Sequence, residues 1–376
     1  MEQAYVLRLY DTDLLSFSLS EQGIEGLKAQ IHSIDEEDRA LFPLDLELTD
    51  DGLVKWLQRR GIPKNRAYVA EILKTYGLSV NDTKGIIDVC KGLSLNDSYW
   101  VVPQGFTGTF AQYNLYENRF SEILSLVAYT GIGQSDAAFT TSPELTTNGM
   151  LPKAWRFIEG EGIYLYKGGT FGAANTGNEP YSEFYASQVA QAMGLDAVAY
   201  ELENWKGILA SRCKLFTDIN TAYIPIGRIV REGGLKACLE YYRQLGPEAY
   251  EQIKSMLVFD AVIYNEDRHF GNFGVLRDNH TGKVTGAAPV FDNGMSRGTA
   301  YSVSFESVCQ EVMGPIQARQ LRKLIGFTFH RHPRLNWPEY RLEAIERHLQ
   351  KRVRQLLELA PELRRRQEIK QRDLER

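Results

Sequence analysis

Cysteine is scarce in this chain. Cys90, Cys213, Cys238 and Cys309 are the four among 376 residues, each far from the next and none in a CxxC pair. That spacing argues against zinc and dithiol-redox motifs and fits free buried thiols in a reducing compartment. Long apolar runs are missing too: nothing approaches the roughly 18 residues a membrane helix needs. The opening MEQAYVLRLYDTD carries acidic residues and no long apolar core, so no signal peptide is expected there, and a cytoplasmic protein is. Positive charge is not in excess. Forty-three Lys and Arg face 48 Asp and Glu, net −5, so a broad basic footprint for nucleic acid is absent and no direct nucleic-acid contact is expected. Nor is there a polybasic or amphipathic membrane segment, an internal repeat or a low-complexity tract.

What remains is ordinary globular composition, 43% hydrophobic and 24% charged, in a chain long enough for two or three domains. Residues 3–10, QAYVLRLY, alternate as a strand. From about 20 to 100 the pattern reads as helical: DDGLVKWLQRRG (50–61), then KNRAYVAEILKTYGL after Pro63, then DTKGIIDVCKGLSL (82–95). Residues 1–105 are therefore expected to form a mostly helical accessory module. RFSEILSLVAYTGIG (119–133) is a further helix. WRFIEGEGIYLYKGG (155–169) reads as two strands around a Gly turn. The Gly/Asn-rich GGTFGAANTGNEP leads into the helix YSEFYASQVAQAMG (181–194), and AVAYELE and GILASRCKLF are strands. Beyond about 225 the chain turns helical, with PEAYEQIKSMLVFDAVIYN (247–265) opened by Pro at a favoured first-turn position. The last segment, 361–376, reads as a charged, fraying helix, its RRR at 364–366 a solvated face.

Two stretches carry chemistry: YNEDRHFGNFG (264–274) and APVFDNG (288–294). Asp, Asn and Gly are turn formers, and a turn is one reading. The other is phosphoryl transfer, in which an Asp orients the attacking hydroxyl and an Asn on the same loop holds magnesium. Asp267 and Asn272 stand as D-x-x-x-x-N. FGVL (273–276) and VTGAAPVF (284–291) form a hairpin, which brings Asn272 at its entry and Asp292 at its exit together across twenty residues. Both offer the hard oxygen that magnesium prefers. Lys167 closes the strand IYLYK, where an ammonium can reach nucleotide phosphates if a carboxylate holds it; a solvated strand-end lysine is the alternative. Glu183, sixteen residues on, is that carboxylate or a helix-start acid that merely favours the dipole. TTSPELTTNGMLPK sits where a phosphate-covering loop would, with Gly149 permitting close approach, although it is neither G-x-x-x-x-G-K-[ST] nor G-x-G-x-x-G. Thr146 and Thr147 there are phosphate contacts, phosphorylation sites or plain turn residues. His269 reads as scaffold for the loop rather than as base. Arg268 meets either phosphate or a neighbouring carboxylate. Leu215 and Phe216 fall on the interlobe connection by segment order, where backbone groups could read adenine.

DRHFGN followed by VFDNG resembles the DRHxxN…D pattern of HipA-like serine/threonine kinases and of the phosphoinositide 3/4-kinase-like group. LYKGG and YSEF are similar to their Lys and Glu elements, and the likeness spans roughly 140–345. The resemblance implies an α+β, bilobal protein-kinase-like fold, with a β-rich N-lobe over 106–225 and a helical C-lobe over 226–376. It implies ATP and Mg2+ as cofactors and Asp267, Lys167, Asn272 and Asp292 as catalytic residues. Asn272 and Asp292 are then the metal ligands, and Lys167 with Glu183 the phosphate clamp. The implied substrate is a protein Ser or Thr, and the toxin–antitoxin context of such kinases implies a small antitoxin-like partner. Arg268 stands where HipA-like members often carry a second acid, and Asn293 where eukaryotic kinases have the Phe of D-F-G. A phosphoinositide or small-molecule kinase and a catalytically silent nucleotide-binding regulator are the rival readings.

Overall fold

The computed structural model describes residues 3–22, 26–133, 141–170, 177–294 and 304–360. The expected helix over 361–376 and most of the Gly/Asn-rich loop after Lys167 lie outside the described residues. Along the chain run β1 (Gln3–Leu9), β2 (Thr12–Gln22), β3 (Gly26–Ile34), α1 (Asp50–Gln58), α2 (Val69–Lys74), α3 (Thr83–Cys90) and β4 (Tyr99–Pro103). Next come α4 (Phe110–Tyr113), α5 (Glu122–Thr130), β5 (Lys153–Ile158), β6 (Gly162–Gly168), α6 (Glu179–Met193), β7 (Tyr200–Trp205), β8 (Ile208–Lys214) and β9 (Thr221–Pro225). The remainder is α7 (Ile226–Ile229), α8 (Gly234–Leu245), α9 (Pro247–Ile263), β10 (Gly274–Asp278), β11 (Val284–Ala287), α10 (Phe305–Val312), α11 (Pro315–Arg322) and α12 (Glu339–Leu357). No described helix is long and apolar enough to cross a membrane.

The chain divides into two compact units: Met1–Gly172 with Lys206–Ile224 and Leu276–Thr285, and Ala173–Trp205 with Pro225–Val275 and Gly286–Arg376. In the first unit an antiparallel sheet runs in the order β3-β2-β1-β4. This corrects the expectation of a mostly helical N-terminal module. Leu15, Phe17 and Leu19 alternate with Ser16, Ser18 and Ser20, a period of two rather than 3.6, and each of the three apolar residues is buried. Tyr5, Leu7 and Leu9 of β1 join them over Leu53, Trp56 and Leu57 of α1 in one core. Helix α1 starts as its sequence suggests, the Thr49 side chain accepting from Gly52 N. Helix α2 starts at Val69, later than its apolar pattern, because the chain from Pro63 to Tyr68 is spent on turns that bury Arg66. Strand β6 pairs antiparallel with both β5 and β8.

The second unit is organised by α9. Ile253, Met256, Leu257, Val258, Phe259, Ala261 and Val262 are all buried, and a helix apolar on every side belongs in a core. It packs against α8, α10, α11 and α12. Helix α6 ends at Gly194 in the left-handed region, φ +79°, which Gly adopts without penalty. Residues 196–200 then lace onto the chain before Asp292: Val198 N donates to Val290 O, and Val290 N to Asp196 O, both at 2.9 Å.

Candidate active site

The loop after α9 is built on a buried ion pair. Arg268 and Asp260 have fully buried side chains and meet at 3.0 Å between Nη2 and Oδ1, with Nε 3.1 Å from Oδ2. Asn265 Nδ2 adds a bond to Asp260 Oδ1 at 3.0 Å. Of the two partners considered for Arg268, a neighbouring carboxylate is the one present. The same guanidinium reaches further. Its Nη1 donates to Asn272 O at 3.0 Å and to Phe291 O at 2.5 Å, and approaches Asp292 O at 3.5 Å. Its Nη2 donates to Asn293 Oδ1 at 2.7 Å. One buried cation therefore ties the carbonyls on both sides of the hairpin to the end of α9, and Asn272 and Asp292 leave from the same small scaffold.

Asp267 sits half-buried within this loop. Its N–H donates to Asn265 Oδ1 at 3.2 Å, and its carbonyl accepts from His269 N at 2.7 Å and from Asn272 Nδ2 at 3.4 Å. The backbone of Asp267 is pinned on both sides. With its Nδ2 spent on that carbonyl, the Asn272 amide has Oδ1 left to offer. His269 is exposed, and its Nδ1 accepts from Gly271 N at 3.0 Å, a bond that shapes the loop. Asp292 adopts a left-handed backbone, φ +54°, a conformation that Asp tolerates better than most residues. Its N–H donates to the Tyr200 hydroxyl at 3.0 Å.

Glu183 lies in the second turn of α6 and is 1% exposed, not in the first turn where a dipole effect would suffice. Its Oε2 accepts from Asn293 N at 2.8 Å. Gly294 passes so close that an added Cβ would stand 3.3 Å from Glu183 Oε1. Glu183 thus braces the segment that follows Asp292.

Lys167 belongs to the first unit, on β6, and is 7% exposed. Sequence reasoning passed over the residue opposite it. Lys153 on β5 is its direct cross-strand partner and is equally buried. Opposed residues of an antiparallel pair share a face, so the two lysine side chains leave one face of the sheet together. Lys153 Nζ donates to Asn148 O at 2.9 Å, and a Cβ on Gly149, whose φ is +96°, would run into that ammonium. The segment before β5 is held by Arg66, which pairs with the buried Glu144 and donates to Lys153 O at 3.0 Å. Burial pushes the Glu144 carboxyl up, and the Arg66 guanidinium opposes it. The Thr146 hydroxyl donates to Leu93 O at 2.9 Å, outside its own turn, and that of Thr147 donates to Pro143 O at 2.7 Å within it. Leu215 packs its side chain among Val6, Trp100 and Ile163 and donates its N–H to Ile163 O. Phe216 stands edge-on to Tyr223.

No three His, Cys, Asp or Glu side chains converge as a metal cage among the described residues. Magnesium keeps its waters and takes one or two protein oxygens plus substrate phosphates. The donor set of Asn272 Oδ1 and the Asp292 carboxylate fits such an ion.

No family model and no curated protein matches the sequence. Solved structures do. A HipA from Shewanella oneidensis MR-1, in a structure of the toxin–antitoxin system HipA, HipB and its operator DNA, aligns at TM-score 0.62, over 93% of this chain and 97% of its own. The chain has a bilobal, HipA-like kinase fold. At 12% identity that likeness is of fold, and the chemistry rests on the residues. The Helicobacter pylori proinflammatory kinase CtkA aligns at TM-score 0.41 and 16% identity, over 55% of this chain and 92% of its own, too distant to argue from.

Proposed function

We propose that this protein is an ATP- and Mg2+-dependent protein serine/threonine kinase. The observation that carries the reading is the Arg268 scaffold: one buried guanidinium bonds the carbonyls of Asn272 and Phe291, so a hard-oxygen amide and a carboxylate are presented from fixed backbone. Phosphoryl transfer depends mostly on positioning and charge neutralisation, and this scaffold does the first. Asp267, its backbone pinned, orients the substrate hydroxyl and takes its proton. Asn272 and Asp292 hold the metal, which supplies charge neutralisation on the β- and γ-phosphates. Lys167 and Lys153, side by side on β6 and β5, bind phosphate oxygens. Glu183 holds the chain after Asp292. The HipA-like fold favours a protein hydroxyl over a lipid as acceptor and a small antitoxin-like protein as partner. The expected absence of nucleic acid is not carried forward, because the similar HipA structure contains operator DNA.

The test is incubation of purified wild type, Asp267→Ala and Asp292→Asn with γ-labelled ATP and Mg2+. Asn tolerates the left-handed backbone at 292, so that variant removes the charge while keeping the conformation. Each variant is expected to lose about 10²-fold or more in transfer with an unchanged melting temperature. Equal labelling by wild type and both variants rejects the assignment.

A further inference from the structure

We propose that the bonds held at the tip of the β10–β11 hairpin set the spacing of the metal-ligand pair at its root, with Arg277 as the positioning residue. The inference rests on Asn272 and Asp292 being the metal ligands. Asn272 lies two residues before β10 and Asp292 five residues after β11. The tip between them, Leu276–Thr285, is part of the first unit. The same short piece of chain thus carries both ligands at its root and buried polar anchors at its tip.

The grip is polar and many-pointed. Arg277 is 1% exposed. Its Nε donates to Gly282 O at 2.7 Å across the hairpin, its Nη1 to the Tyr99 hydroxyl at 2.6 Å, and its Nη2 to Ala40 O at 2.6 Å. Tyr99 in turn donates to Leu41 O. Asn279, also 1% exposed, donates its N–H to Asn220 O and its Nδ2 to Ile219 O at 3.1 Å and Ser98 Oγ at 3.3 Å. The His280 ring stacks on Tyr10 at 5.1 Å between centroids. Gly282, φ +70°, lies so close that a Cβ would overlap the Ala40 carbonyl oxygen.

None of this is needed to turn the chain. The Asp278 carboxylate already accepts from His280 N at 3.0 Å and Thr281 N at 2.7 Å, which is a complete turn of its own. A buried Arg is also an expensive way to gain stability, since an apolar side chain of similar size commonly does as well. What a guanidinium with three fixed acceptors supplies is position. Two strands of five and four residues carry that position to their roots, and a misplacement of about 1 Å in a catalytic constellation costs on the order of 10²-fold.

Mn2+ binding, followed by electron paramagnetic resonance in the presence of a saturating non-hydrolysable ATP analogue, tests the idea on the full chain. Wild type, Arg277→Met, Arg277→Lys and the exposed control Lys236→Met are compared. Arg277→Met is expected to weaken Mn2+ by about tenfold, in the range seen when residues supporting metal ligands are removed. Arg277→Lys, which keeps the buried charge but not the fork, weakens it by a smaller factor and serves if the Met variant does not fold. Analogue affinity in EDTA stays within about twofold of wild type for both, and Lys236→Met matches wild type in everything. A purely structural Arg277 would lower the melting temperature while leaving the Mn2+ affinity of the folded protein unmoved, and that result overturns the proposal. Wild type that shows no Mn2+ binding with the analogue overturns the metal-site reading itself, and the proposal with it.

Discussion

Replacing Arg268 by Met should separate stability from catalysis in a way few single sites allow. The substitution takes the Arg268 guanidinium away from the buried Asp260 carboxylate. It also takes the donor from Asn272 O, Phe291 O and Asn293 Oδ1. Breaking a fully buried ion pair by removing one partner costs about 3–5 kcal/mol, and the orphaned carbonyls push toward the upper end. For a unit of this size that is a fall of roughly 10 °C in melting temperature. Removing both charges, as Asp260→Leu with Arg268→Met, should recover much of the loss, because the desolvated carboxylate is gone. It should not recover phosphoryl transfer, because the guanidinium bonds to Asn272 O and Phe291 O are still missing. Denaturant unfolding of the two single variants and the double variant gives the coupling energy, and the labelled-ATP assay gives the activity. Arg268→Met within about 1 kcal/mol of wild type, or a double variant restored in activity as well as in stability, would refute the reasoning.

Two further outcomes follow from burial and charge. All four cysteines are buried, and burial raises the thiols of Cys90 and Cys238 to about 11 and that of Cys309 to about 12; native protein at pH 8 should react slowly with a thiol reagent and denatured protein should release four equivalents, so two or more fast native thiols would contradict the packing. At Glu251, burial raises the carboxyl, but bonds from Lys254 and Gln317 outweigh it and the folded value lies below the usual 4.5. Its stabilisation is therefore present above that value and lost as pH falls through the folded one, by about 0.3–0.5 kcal/mol for such a partly exposed pair. Glu251→Gln should lower the denaturation midpoint at pH 7, and the difference from wild type should shrink as the pH falls below 4.5; a difference that does not change with pH would assign the effect to something other than this charge.

Which parts of this were legible in the sequence follows from how local the signal was. Strand β1, helices α6 and α9, and the β5–β6 and β7–β8 hairpins were readable because apolar period, Pro at the first turn and a closing Gly all lie within about twenty residues of each other. The reading of residues 1–105 as mostly helical, with a helical pattern from about 20, passes over residues 15–20, where Ser alternates with Leu and Phe; a run scanned for 3.6 hides a repeat of two. The hairpin that joins the Asn272 and Asp292 ends was also a local inference, since its turn residues and two apolar runs are contiguous. Arg268 was different. Its partner, Asp260, sits inside FDAVI, where a carboxylate between apolar neighbours looks like an interruption of a helix face, and only the packing of α9 shows that this face is buried. Lys153 was missed for a related reason. It ends a turn-rich segment and so read as loop, yet the β5–β6 register places it opposite Lys167. A register is a property of two strands at once, whereas a lysine is judged one residue at a time. The residues that chemistry would use announced themselves by type and spacing, while those that hold them in place are written as ordinary charges in ordinary contexts. Arg268 and Arg277 are nine residues apart, both buried, one fixing the root of a hairpin and the other its tip. That pairing is the physical reason to expect substitutions away from the reacting atoms to reach the metal site we propose.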